Sequence, residues 1–197
     1  YLEHPPLFGL VSGGFARING VGNMYEVTLA KIRPLALGLG VFSILAVFLL
    51  VKELYGVNLG LLSSLLYATI PTVVVGSRLI QNENFLIPFW LLSLYFAAKY
   101  LRTKKIWLRN VAIVIASLLP LAKIPWLVVP FSLGMIFAYK KKWKDVLITM
   151  AITLIFLALF ISYGFYFDRE VFLGLWWLQL ARYDISFSGF FSIFTKP

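Results

Sequence analysis

Seven charged or titratable side chains in this 197-residue chain stand inside or at the edges of long apolar stretches. Lys123 is the most unusual, because it lies between Pro120 and Pro125 in the otherwise apolar stretch 111–139. A lysine in such a place is costly unless its charge is paired. We therefore expect its ammonium group either to reach the membrane surface or to neutralise an anion, most simply a phosphate, at the membrane boundary. The seven candidate residues are Glu3, His4, Arg33, Arg78, Glu83, Lys123 and Arg182.

A second polar group follows the apolar stretch 59–75. Arg78 and Glu83 are five residues apart, after one apolar stretch and before the next. They either form an ion pair within the loop or face a ligand. The neighbouring Asn82 and Asn84 supply uncharged hydrogen-bonding groups of the kind that sugar hydroxyls need. Arg33 stands directly before another apolar stretch, where it either anchors a helix at the interface or contributes to substrate binding.

The chain begins with a short segment that contains titratable side chains, "YLEHPPLFGL". Glu3 and His4, the only histidine, directly precede Pro5 and Pro6. Two successive prolines favour extended backbone and limit the number of conformers. The prolines either mark the start of a helix or hold Glu3 and His4 towards the cavity that the other candidate residues face.

Composition limits the class of protein. Hydrophobic residues make up 61% of the chain and charged residues only 13%, with a mean hydropathy of +0.89. Soluble domains are closer to half apolar and a quarter charged, so we expect an all-α, polytopic transmembrane protein. The net charge of +10 is then typical of cytoplasmic loops rather than of nucleic-acid binding. The absence of cysteine and the single histidine exclude disulfides, thiolate ligands and a multi-histidine metal site within the chain.

The apolar stretches predict about six membrane helices, two of them short, within one transmembrane domain. Pro34 would occupy the first turn of the first membrane helix, where its missing N–H costs nothing. Three prolines divide 111–139 into a helical hairpin whose tip stays within the membrane profile. The predicted segments are an outer loop at 1–33 with an interfacial helix at 7–21, membrane helices at 34–51, 59–75, 85–101, 111–139 (the hairpin) and 146–167, and an outer amphipathic loop at 168–197.

The distribution of positive charge predicts the orientation in the membrane. One set of loops contains ten of the 18 basic residues but only two of the eight acidic ones, Glu53 and Asp145. The positive-inside rule makes this side cytoplasmic and places the seven candidate residues on the outer side. The ten basic residues are Lys52, Lys99, Arg102, Lys104, Lys105, Arg109, Lys140, Lys141, Lys142 and Lys144.

Several segments resemble one family of membrane enzymes. "EHPPLFGL" resembles the [DE]-x-H-P-P-L signature of protein O-mannosyltransferases and related glycosyltransferases with the membrane-embedded C-type fold. The segments "LAKIRPLALGLG", "PTVVVGSRLIQNENFLIPF", "LLPLAKIPW" and "LQLARYD" resemble later family elements in the same order. The chain departs from the family pattern at Pro34, where Leu is usual, and in "LAKIP", which lacks the family's Thr. The resemblance also implies that a first span and an acidic motif with the principal catalytic base precede "EHPPL", so we expect a fragment that is inactive alone.

The resemblance implies transfer of a sugar from a polyprenyl- or dolichyl-phosphate carrier to a protein, lipid or glycan acceptor outside the cytoplasm. Lys123 and Arg182 would then bind the lipid phosphate, while Arg33, Arg78 and Glu83 would contact the sugar and acceptor. Glu3 and His4 would support catalysis. A divalent metal is possible, although no residue of this chain is assigned to one, and no nucleic acid is expected. We expect the plasma membrane of a prokaryote, or the endoplasmic-reticulum membrane of a eukaryote.

A non-enzymatic protein is the alternative. A lipid-carrier flippase or transporter subunit would use the same cations to hold a lipid phosphate without chemistry. Transporters often contain paired repeats and broken helices in both halves, and the sequence has no such repeat.

Overall fold

A computed structural model describes residues 5–79 and 81–182, except for the side chains of Met24 and of residues 179–182. These ranges are helical and contain no β-strand, as expected for an all-α polytopic membrane protein. Short 3-10 turns occupy Met24–Glu26, Leu119–Leu121 and Ile124–Leu127. The α-helices are α1 (Leu7–Ile18), α2 (Leu29–Tyr55), α3 (Val57–Thr69), α4 (Pro71–Gly76), α5 (Asn82–Thr103), α6 (Ile106–Leu118), α7 (Val128–Tyr139) and α8 (Trp143–Arg182).

Three of these helices, α2, α5 and α8, are long and apolar enough to cross a membrane. Residues 34–51, 85–101 and 146–167, predicted as spans, lie inside them. The 27 residues of α2 extend about 40 Å at 1.5 Å per residue, more than a hydrocarbon core of about 30 Å requires. Many leucines on the outer faces are exposed, as lipid contact requires, because acyl chains take the place of a protein partner.

Two local predictions are corrected. Residues 59–75 are not one continuous helix, since Ile70 is extended (φ −63°, ψ 121°) and separates α3 from α4. Pro71 explains the break, because a proline disfavours helical backbone in the residue before it and suits the first position of a new helix. Pro34 does not occupy the first turn, because α2 already begins at Leu29 and contains Pro34 in its interior.

Residues 111–139 contain the expected hairpin of two short helices, although its first helix begins earlier than predicted, at Ile106. α6 ends at Leu118 and α7 begins at Val128, and the two 3-10 turns fill the tip between them. Lys123 lies between these turns in extended backbone (φ −163°, ψ 121°). Pro120 and Pro125 sit within the 3-10 turns on either side, so the tip cannot continue either helix regularly.

Small side chains allow the helices to approach closely. α2 packs against α3 and α5, α5 packs against α6, and both α6 and α7 pack against α8. The buried residues of α2 are all small: Ala36, Gly40, Ser43 and Ala46. Membrane helices associate through close packing of small residues because apolar surface gains little by leaving lipid. The larger buried side chains, including Leu86, Leu133 and Phe137, form a core among α5, α6 and α7.

Ion pairs join the helices at one end of the bundle, which we call the basic end (residues 52–53, 99–109 and 140–145). Asp145 is 4% exposed, accepts a hydrogen bond from the Tyr100 hydroxyl at 2.8 Å and pairs with Arg109 at 3.1 Å. Glu53 pairs with Arg102 at 3.0 Å. Both acidic residues that the charge count assigned to this side therefore pair with an arginine on a neighbouring helix.

α8 reverses direction at Asp168. This residue has non-helical backbone (φ −165°, ψ 98°), and its carboxylate accepts the N–H of Val171 at 3.0 Å. Beyond it, the rings of Phe172 and Trp176 contact Phe160, with centroid distances of 5.6 and 6.2 Å. A straight helix would separate residues 160 and 176 by about 24 Å, so the segment after Asp168 folds back along α8.

Candidate functional site

An ion pair connects the hairpin tip to the start of α5. Lys123 Nζ lies 2.5 Å from Glu83 Oε1, and the two residues are 40 positions apart in the chain. Their side chains are 35% and 45% exposed, so a ligand can reach both charges. Neither of the two alternatives considered for Lys123, an ammonium at the surface or a bound anion, anticipated that its partner would be Glu83.

The local backbone explains how the two charges meet. Lys123 is held in extended conformation, with its carbonyl accepting the N–H of Trp126 at 3.0 Å. Glu83 is the second residue of α5, which begins after the extended residue Gln81. A carboxylate in the first helical turn interacts favourably with the positive end of the helix dipole. The start of α5 and the proline-flanked tip therefore fix the two ends of the ion pair independently.

Glu83 also lines a cleft of about 230 Å³ among α2, α3, α4 and α5, which we call the polar cleft because seven of its 11 lining residues carry polar side chains. The cleft contains hydroxyl, amide and carboxylate groups next to small and aliphatic side chains. Such a mixture provides both donors and acceptors for a polyhydroxylated ligand. The lining residues are Gly40, Ser43, Tyr67, Thr72, Val73, Gly76, Ser77, Gln81, Glu83, Asn84 and Ile87.

Asn84 fixes the turn between α4 and α5. Its side-chain amide donates hydrogen bonds to the carbonyls of Gly76 and, at 2.6 Å, of Leu79. Both amide hydrogens are therefore used within the protein, and only the side-chain oxygen remains for a ligand. The sequence predicted Asn84 as a group for sugar hydroxyls, whereas the structure shows that it holds the wall of the cleft.

The other predicted residues do not all meet at this ion pair. Arg78 is exposed in the turn after α4 and does not pair with Glu83, so the loop ion pair considered from the sequence is absent. Arg33 is exposed near the start of α2. Arg182 is the last residue of α8, and its side chain is not described. Glu3 and His4 lie outside the described residues.

The sequence pattern did not indicate several of the lining residues, among them Ser43, Tyr67 and Thr72. Each lies in an apolar helical stretch, where a hydroxyl is common and usually bonds to its own helix. Ser43 does so, donating to the Gly40 carbonyl at 2.7 Å. The available signal was the buried row of small residues on α2, which marks a close helix contact rather than a ligand. Across the described ranges, no three His, Cys, Asp or Glu side chains cluster closely enough to hold a metal ion.

Chemically, the arrangement offers a reachable ammonium, a carboxylate and several hydroxyl and amide groups at one end of a membrane bundle. An ammonium group is suited to a phosphate and the polar groups to hydroxyls. No curated protein and no solved structure matches the chain. The family model described as dolichyl-phosphate-mannose-protein mannosyltransferase matches residues 3–166, which is well over half of the 197 residues. The resemblance seen in the sequence is thus confirmed, and the chain belongs to the dolichyl-phosphate-mannose-protein mannosyltransferase family.

Proposed function

We propose that this protein transfers a mannosyl group from a dolichyl- or other polyprenyl-phosphate carrier to a protein hydroxyl on the extracytoplasmic side of the membrane. The observation that carries the proposal is the exposed Lys123–Glu83 pair beside the polar cleft. Membership of the family supports the mannosyl donor and the protein acceptor. The cleft lies away from the basic end, which the positive-inside rule assigns to the cytoplasm.

The reaction requires a cation where the lipid phosphate leaves. The bond between the sugar's anomeric carbon and the phosphate oxygen breaks, and its electron pair stays on the polyprenyl phosphate. The acceptor oxygen bonds to the same carbon and gives its proton to a carboxylate acting as general base. Lys123, with Arg182, would stabilise the charge that grows on the departing phosphate. One displacement inverts the anomeric centre and needs no covalent enzyme intermediate.

The remaining candidates take supporting roles in this proposal. Arg33, Arg78 and Glu83 would contact the sugar and the acceptor, since Glu83 lines the polar cleft and the two arginines are exposed. Glu3 and His4 would support catalysis by orienting the acidic base. A prokaryotic plasma membrane with the active face outside is the location that we propose.

The test uses Lys123→Ala and Arg182→Ala in the full-length protein, with Lys105→Ala at the basic end as a control. Loss of one transition-state cation is expected to lower turnover of polyprenyl-phosphate mannose about 100-fold, while the control keeps wild-type turnover. Wild-type turnover in both site variants would refute the phosphate assignment. Lipid translocation without any release of polyprenyl phosphate by the wild-type protein would instead support the flippase or transporter alternative.

A further inference from the structure

The Lys123–Glu83 pair engages two groups that the proposed function needs separately. In that function Lys123 would bind the donor phosphate, while Glu83 lines the cleft. While they pair at 2.5 Å, the ammonium is already partly neutralised and the carboxylate is held at the hairpin tip. The pair therefore opposes donor binding as long as it persists.

Exposure sets this pair apart from the other two ion pairs in the described part of the chain. The side chains of Asp145 and Arg109 are only 6% and 16% exposed, and the Tyr100 hydroxyl donates a further hydrogen bond to the aspartate. In the Glu53–Arg102 pair the carboxylate is only 10% exposed. Lys123 and Glu83 are both at least one-third exposed, and no other side chain in the described ranges braces them. Their contact is the one that an incoming anion can replace.

We propose, on the basis of the proposed function, that the donor phosphate displaces Glu83 from Lys123 and frees the carboxylate to accept a hydrogen bond from a substrate hydroxyl in the cleft. We call this exchange the carboxylate latch. Two anions held against one ammonium repel each other, most strongly near the low-dielectric hydrocarbon region. The freed carboxylate stays at the first turn of α5, where the helix dipole still favours its charge.

The latch predicts an order of binding. Glu83 lines the polar cleft while it is paired, but both of its carboxylate oxygens become available to a substrate hydroxyl only after the phosphate has taken over Lys123. A hydroxyl substrate therefore binds more tightly to the donor-loaded protein than to the empty one. In the protein without donor, Lys123 paired with Glu83 would also bind other anions less strongly than an unpaired lysine would.

The first experiment measures binding of a polyprenyl monophosphate to the full-length protein in lipid nanodiscs. Glu83→Gln removes the competing charge and is expected to tighten binding about 1.5- to 5-fold, the range for a partly exposed ion pair. Lys123→Ala is expected to weaken binding at least as much. Glu53→Gln, which alters the ion pair at the basic end, serves as the matched control and should leave the affinity unchanged.

The outcomes separate the latch from the proposed function. If Lys123→Ala weakens binding but Glu83→Gln fails to tighten it, the latch is wrong and the phosphate assignment stands. If Lys123→Ala binds the lipid phosphate like the wild type, the phosphate assignment itself is overturned. Glu83→Gln should also lower kcat at saturating donor, because its neutral amide replaces the carboxylate acceptor.

A second experiment needs no substitution. A water-soluble carbodiimide joins a contacting carboxylate and amine as an amide, and mass spectrometry identifies the cross-linked Lys123 and Glu83 peptides. Polyprenyl monophosphate is expected to reduce the yield of this cross-link several-fold, whereas neutral polyprenol should have no effect. An undiminished cross-link at saturating lipid phosphate would overturn the latch.

Discussion

Gly40 provides the sharpest test of how the cleft is built. A Cβ atom at this position would lie 2.6 Å from Ser77 Cβ, well inside a normal carbon contact of about 3.5–4.0 Å. Gly40→Ala must therefore push α2 and the start of the α4–α5 turn apart by roughly 1 Å. Both Gly40 and Ser77 line the cleft, so the displacement changes its width directly.

Gly38 supplies the matched control on the same helix. A Cβ atom there meets nothing within 4 Å. Replacing glycine by alanine inside a helix gains about 0.5–1 kcal/mol, so Gly38→Ala should be neutral or stabilising. Gly40→Ala receives the same gain but adds an overpacking cost of about 1–3 kcal/mol, which leaves it destabilised by up to about 2.5 kcal/mol.

The assay compares mannosyl turnover and thermal unfolding of the two variants in the full-length protein. Misplacing a catalytic constellation by about 1 Å can lower the rate about 100-fold, so we expect Gly40→Ala to lose at least one order of magnitude in turnover. Adding Ser77→Gly removes the clashing carbon and should restore much of the lost stability and activity. Equal activity of Gly40→Ala and Gly38→Ala would refute the close contact and its role in the cleft.

Three further predictions follow from other contacts. Asn84→Ala removes both hydrogen bonds that hold the α4–α5 turn and should lower turnover at least 10-fold, whereas Asn82→Ala, whose side chain makes no such bonds, should not. Asp145→Ala removes the buried carboxylate that pairs with the partly buried Arg109 and accepts the Tyr100 hydroxyl, so a loss of about 3 kcal/mol should appear in the unfolding free energy. Gly164→Cys combined with Phe172→Cys should form a disulfide on mild oxidation, seen as a gel-mobility change, because the Phe172 ring packs on Gly164 after the reversal, whereas a straight helix separates them by about 12 Å. Absence of that cross-link would refute the reversal at Asp168.

The long helices and the hairpin were predictable because their signals are local. Uninterrupted apolar stretches defined α2, α5 and most of α8, and Pro120 and Pro125 defined the break around Lys123. Pro130, predicted as a third dividing residue, lies inside the first turn of α7 instead. The break at Ile70 was also encoded locally, since Pro71 follows it directly, but the apolar character of 59–75 concealed it. Asp168 was predicted to begin an outer loop, whereas residues 169–182 are helical.

The pairing at the site was not predictable from local pattern. Glu83 has a charged neighbour five residues away in Arg78, yet its partner is Lys123, 40 residues distant. Sequence separation favours the nearer arginine, but the start of α5 directs Glu83 towards the hairpin tip instead. The choice between these partners depends on how α5 packs against α6. The hydrophobic periodicity of either segment does not predict that packing.

The same row of small residues on α2 determines both the stability of the bundle and the shape of the cleft. Ala36, Gly40, Ser43 and Ala46 let neighbouring helices approach, and close approach is the main source of helix association in lipid. Gly40 and Ser43 also line the cleft, whereas Ala36 and Ala46 do not. Enlarging Ala46, which is fully buried, should therefore destabilise the bundle without a separate effect on substrate affinity. Enlarging Ser43 narrows the cleft as well, so its effect on the KM for donor or acceptor should exceed what the loss of stability explains.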